Sequence, residues 1–135
     1  MHEWALAEAV VATAKRAARE QQLRRVTGIT VRLGELQQIE REIFKFALEQ
    51  MLAHEDALVR DAKVVLERER ARFRCRVCHR EWDFQAEELG SEIAEAIHFI
   101  PEVAHAYLRC PSCRSPDFDV MAGRGVWLAS LEGEE

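Results

Sequence analysis

Four cysteines form the most chemically informative pattern in this sequence of 135 residues. They occur as two C-x-x-C pairs, Cys75 with Cys78 and Cys110 with Cys113, separated by 31 residues. A two-residue gap lets both sulfurs of a pair face one point, and two pairs then supply four thiolates in a tetrahedral shell that suits zinc. Such a shell has no open position for a substrate or a water molecule. We therefore expect a structural Zn(II) that helps a small segment to fold.

The same cysteines admit three other interpretations. The string from Cys75 to His79 matches the C-x-x-C-H haem attachment motif, but that interpretation requires export and leaves the second pair unexplained. A redox dithiol needs one pair and a thioredoxin-like context, which this sequence lacks. An iron–sulfur cluster also accepts four thiolates. Zinc ribbons often have glycine after the second cysteine of a pair, and because His79 and Arg114 occupy those positions, we expect the local turns to differ.

The first three residues, Met1, His2 and Glu3, form a second candidate metal site. The α-amine, the backbone nitrogen and imidazole of His2 and the backbone nitrogen of Glu3 can surround one metal ion in a plane. Deprotonated amides in a square plane suit Ni(II) or Cu(II) rather than zinc. A helix predicted to start here leaves its first N–H groups without intrahelical acceptors, so they are available to a metal. The alternative role of Glu3 is to place negative charge in the first helical turn.

Hydrophobic periodicity predicts the elements that hold these sites. Apolar residues at helical spacing predict helices over 3–21 and 40–54, and alternation of apolar with polar residues predicts a strand over 25–34. A second strand is predicted near 63–73, where alternating charges are typical of an exposed sheet edge. A last apolar run begins at Val126 and is expected to return to the first sheet.

These elements predict an α+β fold in which two helices cover a three-stranded sheet and a zinc-ribbon-like domain is inserted. We expect residues 1–70 plus 122–135 to form the α/β domain that carries the N-terminal metal site and residues 71–121 to form the zinc-binding domain. The boundary follows from the change in composition at Phe73, after which all four cysteines occur. The acidic residues 132–135 are predicted to be a solvated end.

Composition and charge disfavour several protein classes. The sequence is 48% hydrophobic and carries a formal charge of −5, which argues against binding nucleic acid or anionic lipid through bulk charge. It has no apolar run near the roughly 18–20 residues needed to span a bilayer, and its N-terminus does not have the pattern of a signal peptide. We therefore expect a cytoplasmic protein with no membrane or nucleic-acid partner, whose thiols are kept reduced. The sequence contains no H-E-x-x-H motif or phosphate loop that would indicate an enzyme.

Together the motifs resemble those of the HypA family, the nickel metallochaperones of nickel–iron hydrogenase maturation. The resemblance rests on the start Met1-His2-Glu3, on residues 31–36 (V-R-L-G-E-L) and on the two C-x-x-C pairs. Residues 97–103 (I-H-F-I-P-E-V) are similar to the insert of archaeal-type members. The resemblance covers essentially the whole chain.

This resemblance implies a binding and transfer protein with no catalytic activity. Ni(II) would bind through Met1, His2 and the backbone of Glu3, and His98 would supply a further nitrogen if the inserted module folds back onto the N-terminus. The metal would be delivered to the hydrogenase large-subunit precursor together with a HypB-type GTPase, and some relatives also serve urease. Zn(II) would be held by Cys75, Cys78, Cys110, Cys113.

Two other function classes remain as alternatives. A zinc-ribbon adaptor with an inert N-terminus would bind no nickel and would have some affinity for nucleic acid. A thiol oxidoreductase would have a titratable cysteine pair in the zinc-loaded protein. Two strands that bridge the modules would permit domain swapping, so a homodimer is compatible with the sequence.

Among single residues, we expect Trp4 in the core, His105 facing solvent or packing, and His54 in the last turn of the second helix.

Overall fold

The computed structural model describes residues 3–83, 93, 96, 100, 105 and 108–135. These residues form two compact units. The first unit contains the described residues of Met1–Arg32, Ile39–Glu67 and Val126–Glu135, and the second contains those of Leu33–Gln38 and Arg68–Gly125. The described part of the chain combines two α-helices with two small sheets, which confirms the predicted α+β fold. The helices are α1 (Glu3–Glu20) and α2 (Arg41–Ala53), and the strands are β1 (Arg25–Gly34), β2 (Lys63–Glu69), β3 (Arg72–Cys75), β4 (Glu81–Asp83), β5 (Phe118–Ala122) and β6 (Val126–Glu134).

In the first unit, α1 packs against α2 and against β6 of a sheet with the strand order β2-β1-β6. Small side chains let α1 approach its neighbours closely, and Ala7, Ala14 and Ala18 are completely buried. The central strand β1 buries Val26 and Val31. β2 is an edge strand, as its alternating charges predicted. None of the helices in the described residues has the length and apolar character needed to cross a bilayer.

Helix α1 begins at Glu3 as predicted, but the burial of its first side chains differs from the expectation. Counting back from the buried residues Ala7 and Val10 at helical spacing places Glu3 on the inner face, and Glu3 is 2% exposed. Trp4, which was expected in the core, is 47% exposed and lies edge-on to the ring of Phe46 with centroids 6.2 Å apart. The expectation for Trp4 was therefore wrong, because a one-residue shift turns a helical side chain by about 100°.

The predicted strand over 63–73 is in fact two strands in different sheets. β2 ends at Glu69, and β3 begins at Arg72 and pairs antiparallel with both β4 and β5. The chain turns at Ala71, which is fully buried and donates its N–H to the carboxylate of Glu35 at 2.9 Å. This bond takes the amide out of any strand ladder, so the first sheet ends here.

The acidic C-terminal residues are exposed as predicted, but most of them belong to strand β6. The carbonyl oxygen of Glu134 accepts the N–H of Arg24 at 2.7 Å, and its carboxylate lies 2.8 Å from the Arg25 guanidinium. Backbone pairing and the neighbouring arginines thus extend the strand beyond the apolar run that began at Val126.

The second unit is built on the sheet β4-β3-β5. Its core is small and aromatic: Phe73 and Phe118 are fully buried with ring centroids 5.0 Å apart, and the partly buried Trp82 lies 5.3 Å from Phe118. Leu36 completes the cluster from the short 3-10 turn at Glu35–Gln37. His105 stacks on Phe118 at 4.2 Å, which confirms that this histidine packs.

Candidate metal sites

The four cysteine sulfurs converge at one end of β3 in the second unit. All four sulfur atoms lie within 4.8 Å of one another. The sulfurs of Cys75 and Cys113 are 3.5 Å apart, as are those of Cys78 and Cys110. Because each short contact joins one C-x-x-C pair to the other, the two pairs share a single centre. This is the one such cluster of metal-ligating side chains within the described residues, and its thiols are free.

Each pair is folded into the same turn. In the first pair, the N–H groups of Val77 and Cys78 donate to the sulfur of Cys75 at 3.3 and 3.4 Å. His79 then donates its N–H to the carbonyl oxygen of Cys75 at 3.1 Å. The second pair repeats both features: the N–H of Ser112 donates to the sulfur of Cys110, and the N–H of Arg114 donates to its carbonyl oxygen. We call the two turns the knuckles.

The residue that closes each knuckle has a left-handed backbone. The φ angles of His79 and Arg114 are 67° and 66°, in the region that glycine adopts most readily. The expectation that these turns would differ from glycine-containing knuckles was therefore wrong. The two residues adopt the conformation that glycine would have, although their β-carbons make that conformation less favourable.

Contact between the sulfurs opposes ionisation of neighbouring thiols at the same time. Burial opposes ionisation of Cys110, but the N–H groups of Cys113 and Ser112 lower its pKa to about 6. The N–H of Ser115 favours the thiolate of Cys113, yet contact with Cys75, burial and the other two sulfurs raise its pKa to about 12. One site thus holds both a readily ionised thiol and a thiol that resists ionisation. A divalent cation removes this conflict by stabilising all four thiolates.

The donor set fits zinc. Four cysteine sulfurs are the ligands of closed structural zinc sites, with Zn–S bonds of about 2.3 Å and therefore S···S separations of about 3.8 Å in a tetrahedron. The sulfur contacts of 3.5 Å and the 4.8 Å limit of the cluster bracket that separation. When bound, the metal would cross-link β3 to the segment before β5 and so stabilise a unit whose aromatic core is small.

The second candidate site is described only in part. Met1, His2 and His98 lie outside the described residues. Glu3 is the first residue of α1, and its carboxylate accepts the backbone N–H of Glu40 at 3.3 Å. Burial raises the pKa of Glu3, but hydrogen bonds to its carboxylate outweigh burial and leave that pKa below its usual value. The Glu3 side chain therefore links the start of α1 to the backbone at Glu40 within the first unit.

Sequence reasoning did not find the buried carboxylate of Glu35 in the second unit. Its side chain is 4% exposed and accepts hydrogen bonds from the N–H of Ala71 and, at 2.6 Å, from the guanidinium of Arg68. Glu69 plays a similar part by accepting the N–H of Gly123 at 2.7 Å. The sequence signal that could have indicated this buried carboxylate is an acidic residue directly after the end of β1, where the strand is followed by a turn.

Comparison with known proteins identifies the family to which these sites belong. Residues 1–133 match the family described as "Hydrogenase/urease nickel incorporation, metallochaperone, hypA". The chain belongs to the HypA family. The hydrogenase maturation factor HypA of Pyrococcus abyssi is 43% identical over 137 residues, which cover 100% of this chain and 97% of that protein. The factor of the same name from Thermococcus gammatolerans is 45% identical, and the match covers 99% of each chain.

The fold agrees with solved structures of this family. The solution structure of the Ni metallochaperone HypA from Helicobacter pylori has a TM-score of 0.66, covering 99% of this chain and 98% of that one. At 20% identity this likeness shows a shared fold. The HypA family consists of maturation factors rather than enzymes, so membership confirms both the resemblance found in the sequence and the prediction that the chain is not an enzyme.

Proposed function

We propose that this member of the HypA family binds Ni(II) at its N-terminus and delivers it to the large-subunit precursor of nickel–iron hydrogenase. Family membership supports a maturation role, and the family description names nickel incorporation. A carrier must also release its metal, and a site made largely of backbone nitrogens at a chain end is accessible for exchange. The same role would include a HypB-type GTPase as partner and a cytoplasmic location, where thiols stay reduced.

The proposed nickel ligands are Met1, His2 and the backbone nitrogen of Glu3. The engaged side chain of Glu3 is the observation that carries this assignment. Its carboxylate is buried and accepts the N–H of Glu40, so it is not available as a ligand. Glu3 also begins α1, where the backbone N–H groups have no intrahelical acceptor. The backbone nitrogen of Glu3 is thus the atom that a square-planar Ni(II) would use.

In this proposal the zinc and nickel sites have separate roles. Zn(II) bound by Cys75, Cys78, Cys110 and Cys113 would stabilise the second unit and would have no open position for cargo. His98 would supply a further nitrogen to the nickel ion. A homodimer formed by exchange of strands between two copies is a further part of the proposal.

The test is a calorimetric titration of Ni(II) into the zinc-loaded protein. We expect one nickel ion with a square-planar absorption spectrum when the chain begins at Met1. Adding one residue before Met1, or the substitution His2→Ala, should abolish this binding while the zinc content stays constant. His98→Ala should change the spectrum or weaken binding if the imidazole is a ligand.

The matched control is Glu3→Gln. This substitution keeps the backbone nitrogen and removes the carboxylate charge, so the nickel stoichiometry should not change. If the extended chain binds nickel as well as the native one, the chain-end site is wrong. If neither chain binds nickel, the zinc-ribbon adaptor becomes the better account. Transfer of bound nickel to purified large-subunit precursor, with and without the GTPase, tests the delivery step separately.

A further inference from the structure

The residue that closes each knuckle is not the glycine that its backbone conformation favours, and metal binding alone does not require this. His79 and Arg114 occupy equivalent positions, each directly after the second cysteine of its pair, and both have left-handed φ angles. Glycine would adopt this conformation without the steric penalty of a β-carbon. Both knuckles therefore have a polar, nitrogen-bearing side chain at a position where a side chain is conformationally unfavourable. Both side chains are exposed.

Two further arginines are held at the same knuckles. Arg80 follows His79 and donates a hydrogen bond from Nη1 to the hydroxyl of Ser112 at 2.8 Å, which joins the first knuckle to the second. Arg109 precedes Cys110 and points an Nη1 donor at the carbonyl oxygen of Arg114, 3.4 Å away. We define the knuckle face as His79, Arg80, Arg109 and Arg114. All four residues are exposed.

The cations of the knuckle face have no carboxylate partners within the described part of the chain. Nearby carboxylates are held by two other arginines: Arg72 pairs with Glu81 and Asp83, and Arg76 pairs with Asp117 and Asp119. These are all the acidic side chains in residues 72–83 and 108–125. These ion pairs engage the four carboxylates, and within the described residues the arginines of the knuckle face have no carboxylate partner.

The local charge contrasts with that of the whole chain, which is −5. A zinc ion bound by four thiolates leaves two negative charges at the metal centre. Cys75 and Cys110 are buried and Cys78 and Cys113 are exposed, whereas all three arginines of the knuckle face are exposed. The three guanidinium groups therefore outweigh the two negative charges of the loaded metal centre by one positive charge. Val77 is 61% exposed in the first knuckle and adds a small apolar contact.

We propose that the knuckle face is a docking surface for an extended acidic segment of a partner protein. Arginine binds carboxylates through paired N–H donors in a geometry that a side chain on a fixed turn can present. A single-stranded nucleic acid is the less suitable ligand, because such binding uses aromatic side chains on which bases stack. The knuckle face as defined contains no Phe, Tyr or Trp. The proposal does not depend on where nickel binds.

The test measures binding of a fluorescently labelled octaglutamate peptide to the zinc-loaded protein by anisotropy at low salt. Arg114→Gly should weaken binding roughly threefold, since an exposed ion pair contributes little individually. A combined variant with Arg80→Gln, Arg109→Gln and Arg114→Gly should weaken binding on the order of tenfold or more. Arg60→Gln removes an exposed arginine from the first unit and should leave binding unchanged. Arg114→Lys keeps the charge but lacks the paired N–H donors, so it should recover only part of the affinity that Arg114→Gly loses.

The same variants test the conformational argument. Arg114→Gly should raise the midpoint of thermal unfolding, because glycine relieves the left-handed strain, whereas Arg114→Gln should not. A gain in stability together with a loss of peptide binding is the expected signature. The proposal fails if the combined variant binds the peptide as well as the native protein does, or if Arg60→Gln weakens binding equally. It also fails if oligouridylate binds more tightly than the peptide, a result that would assign the face to nucleic acid.

Discussion

Replacement of Glu35 tests whether a buried carboxylate holds the second unit together. The two oxygens of this side chain accept the N–H of Ala71 at 2.9 Å and the guanidinium of Arg68 at 2.6 Å. Ala71 is fully buried, so its N–H would lose its partner and gain no water in Glu35→Ala. Leaving a buried donor unsatisfied costs about 1–3 kcal/mol. The Arg68 side chain is 61% exposed, so its ion pair adds under about 1 kcal/mol.

These terms predict that Glu35→Ala lowers the free energy of unfolding by about 3 kcal/mol. Glu35→Gln should cost less, about 1–2 kcal/mol, because its carbonyl oxygen can still accept the Ala71 N–H. Urea unfolding of the metal-loaded protein, followed by circular dichroism, measures both values. Hydrogen exchange of the Ala71 amide gives a local measurement, and its protection should fall in Glu35→Ala.

The matched control is Glu67→Gln, another carboxylate that pairs with an arginine. The carboxylate of Glu67 lies 3.1 Å from the guanidinium of Arg32, and both side chains are more than 40% exposed. This substitution should change stability by less than about 0.5 kcal/mol. If Glu35→Ala costs no more than Glu67→Gln, the buried carboxylate does not stabilise the turn at Ala71 and the reasoning is wrong.

Three further predictions follow from packing and from the metal site. Gly34→Ala should destabilise the protein by about 2–3 kcal/mol, because its β-carbon would clash with the backbone carbonyl oxygen of Gly123. Gly28→Ala in the same strand meets nothing closer than 3.5 Å and should be tolerated, and urea midpoints measure both effects. Removing the metal with a chelator, or Cys113→Ser, should reduce amide protection in the second unit, and unchanged protection would contradict a structural role for the metal. Phe118→Ala should cost about 3–5 kcal/mol in urea unfolding, whereas Met121→Ala, at a residue that is 53% exposed, should cost little.

Several features of this protein follow from the sequence alone because their causes are local. The spacing within each C-x-x-C pair predicts that its two sulfurs face one point, and the four sulfurs are found within 4.8 Å of one another. Helical periodicity placed α1 and α2 to within one residue at each end. Alternating charges marked β2 as an edge strand. The family, too, was identified from short motifs and confirmed by comparison with relatives.

Other features were decided by contacts between distant residues. The carboxylate of Glu35 accepts a hydrogen bond from the backbone N–H of Ala71, 36 positions later. This contact lies where the one predicted strand divides into two. Glu3 rather than Trp4 faces inward, where it meets the N–H of Glu40. Periodicity reports which face of an element is apolar, but a buried polar group is satisfied by a partner that only the tertiary structure supplies.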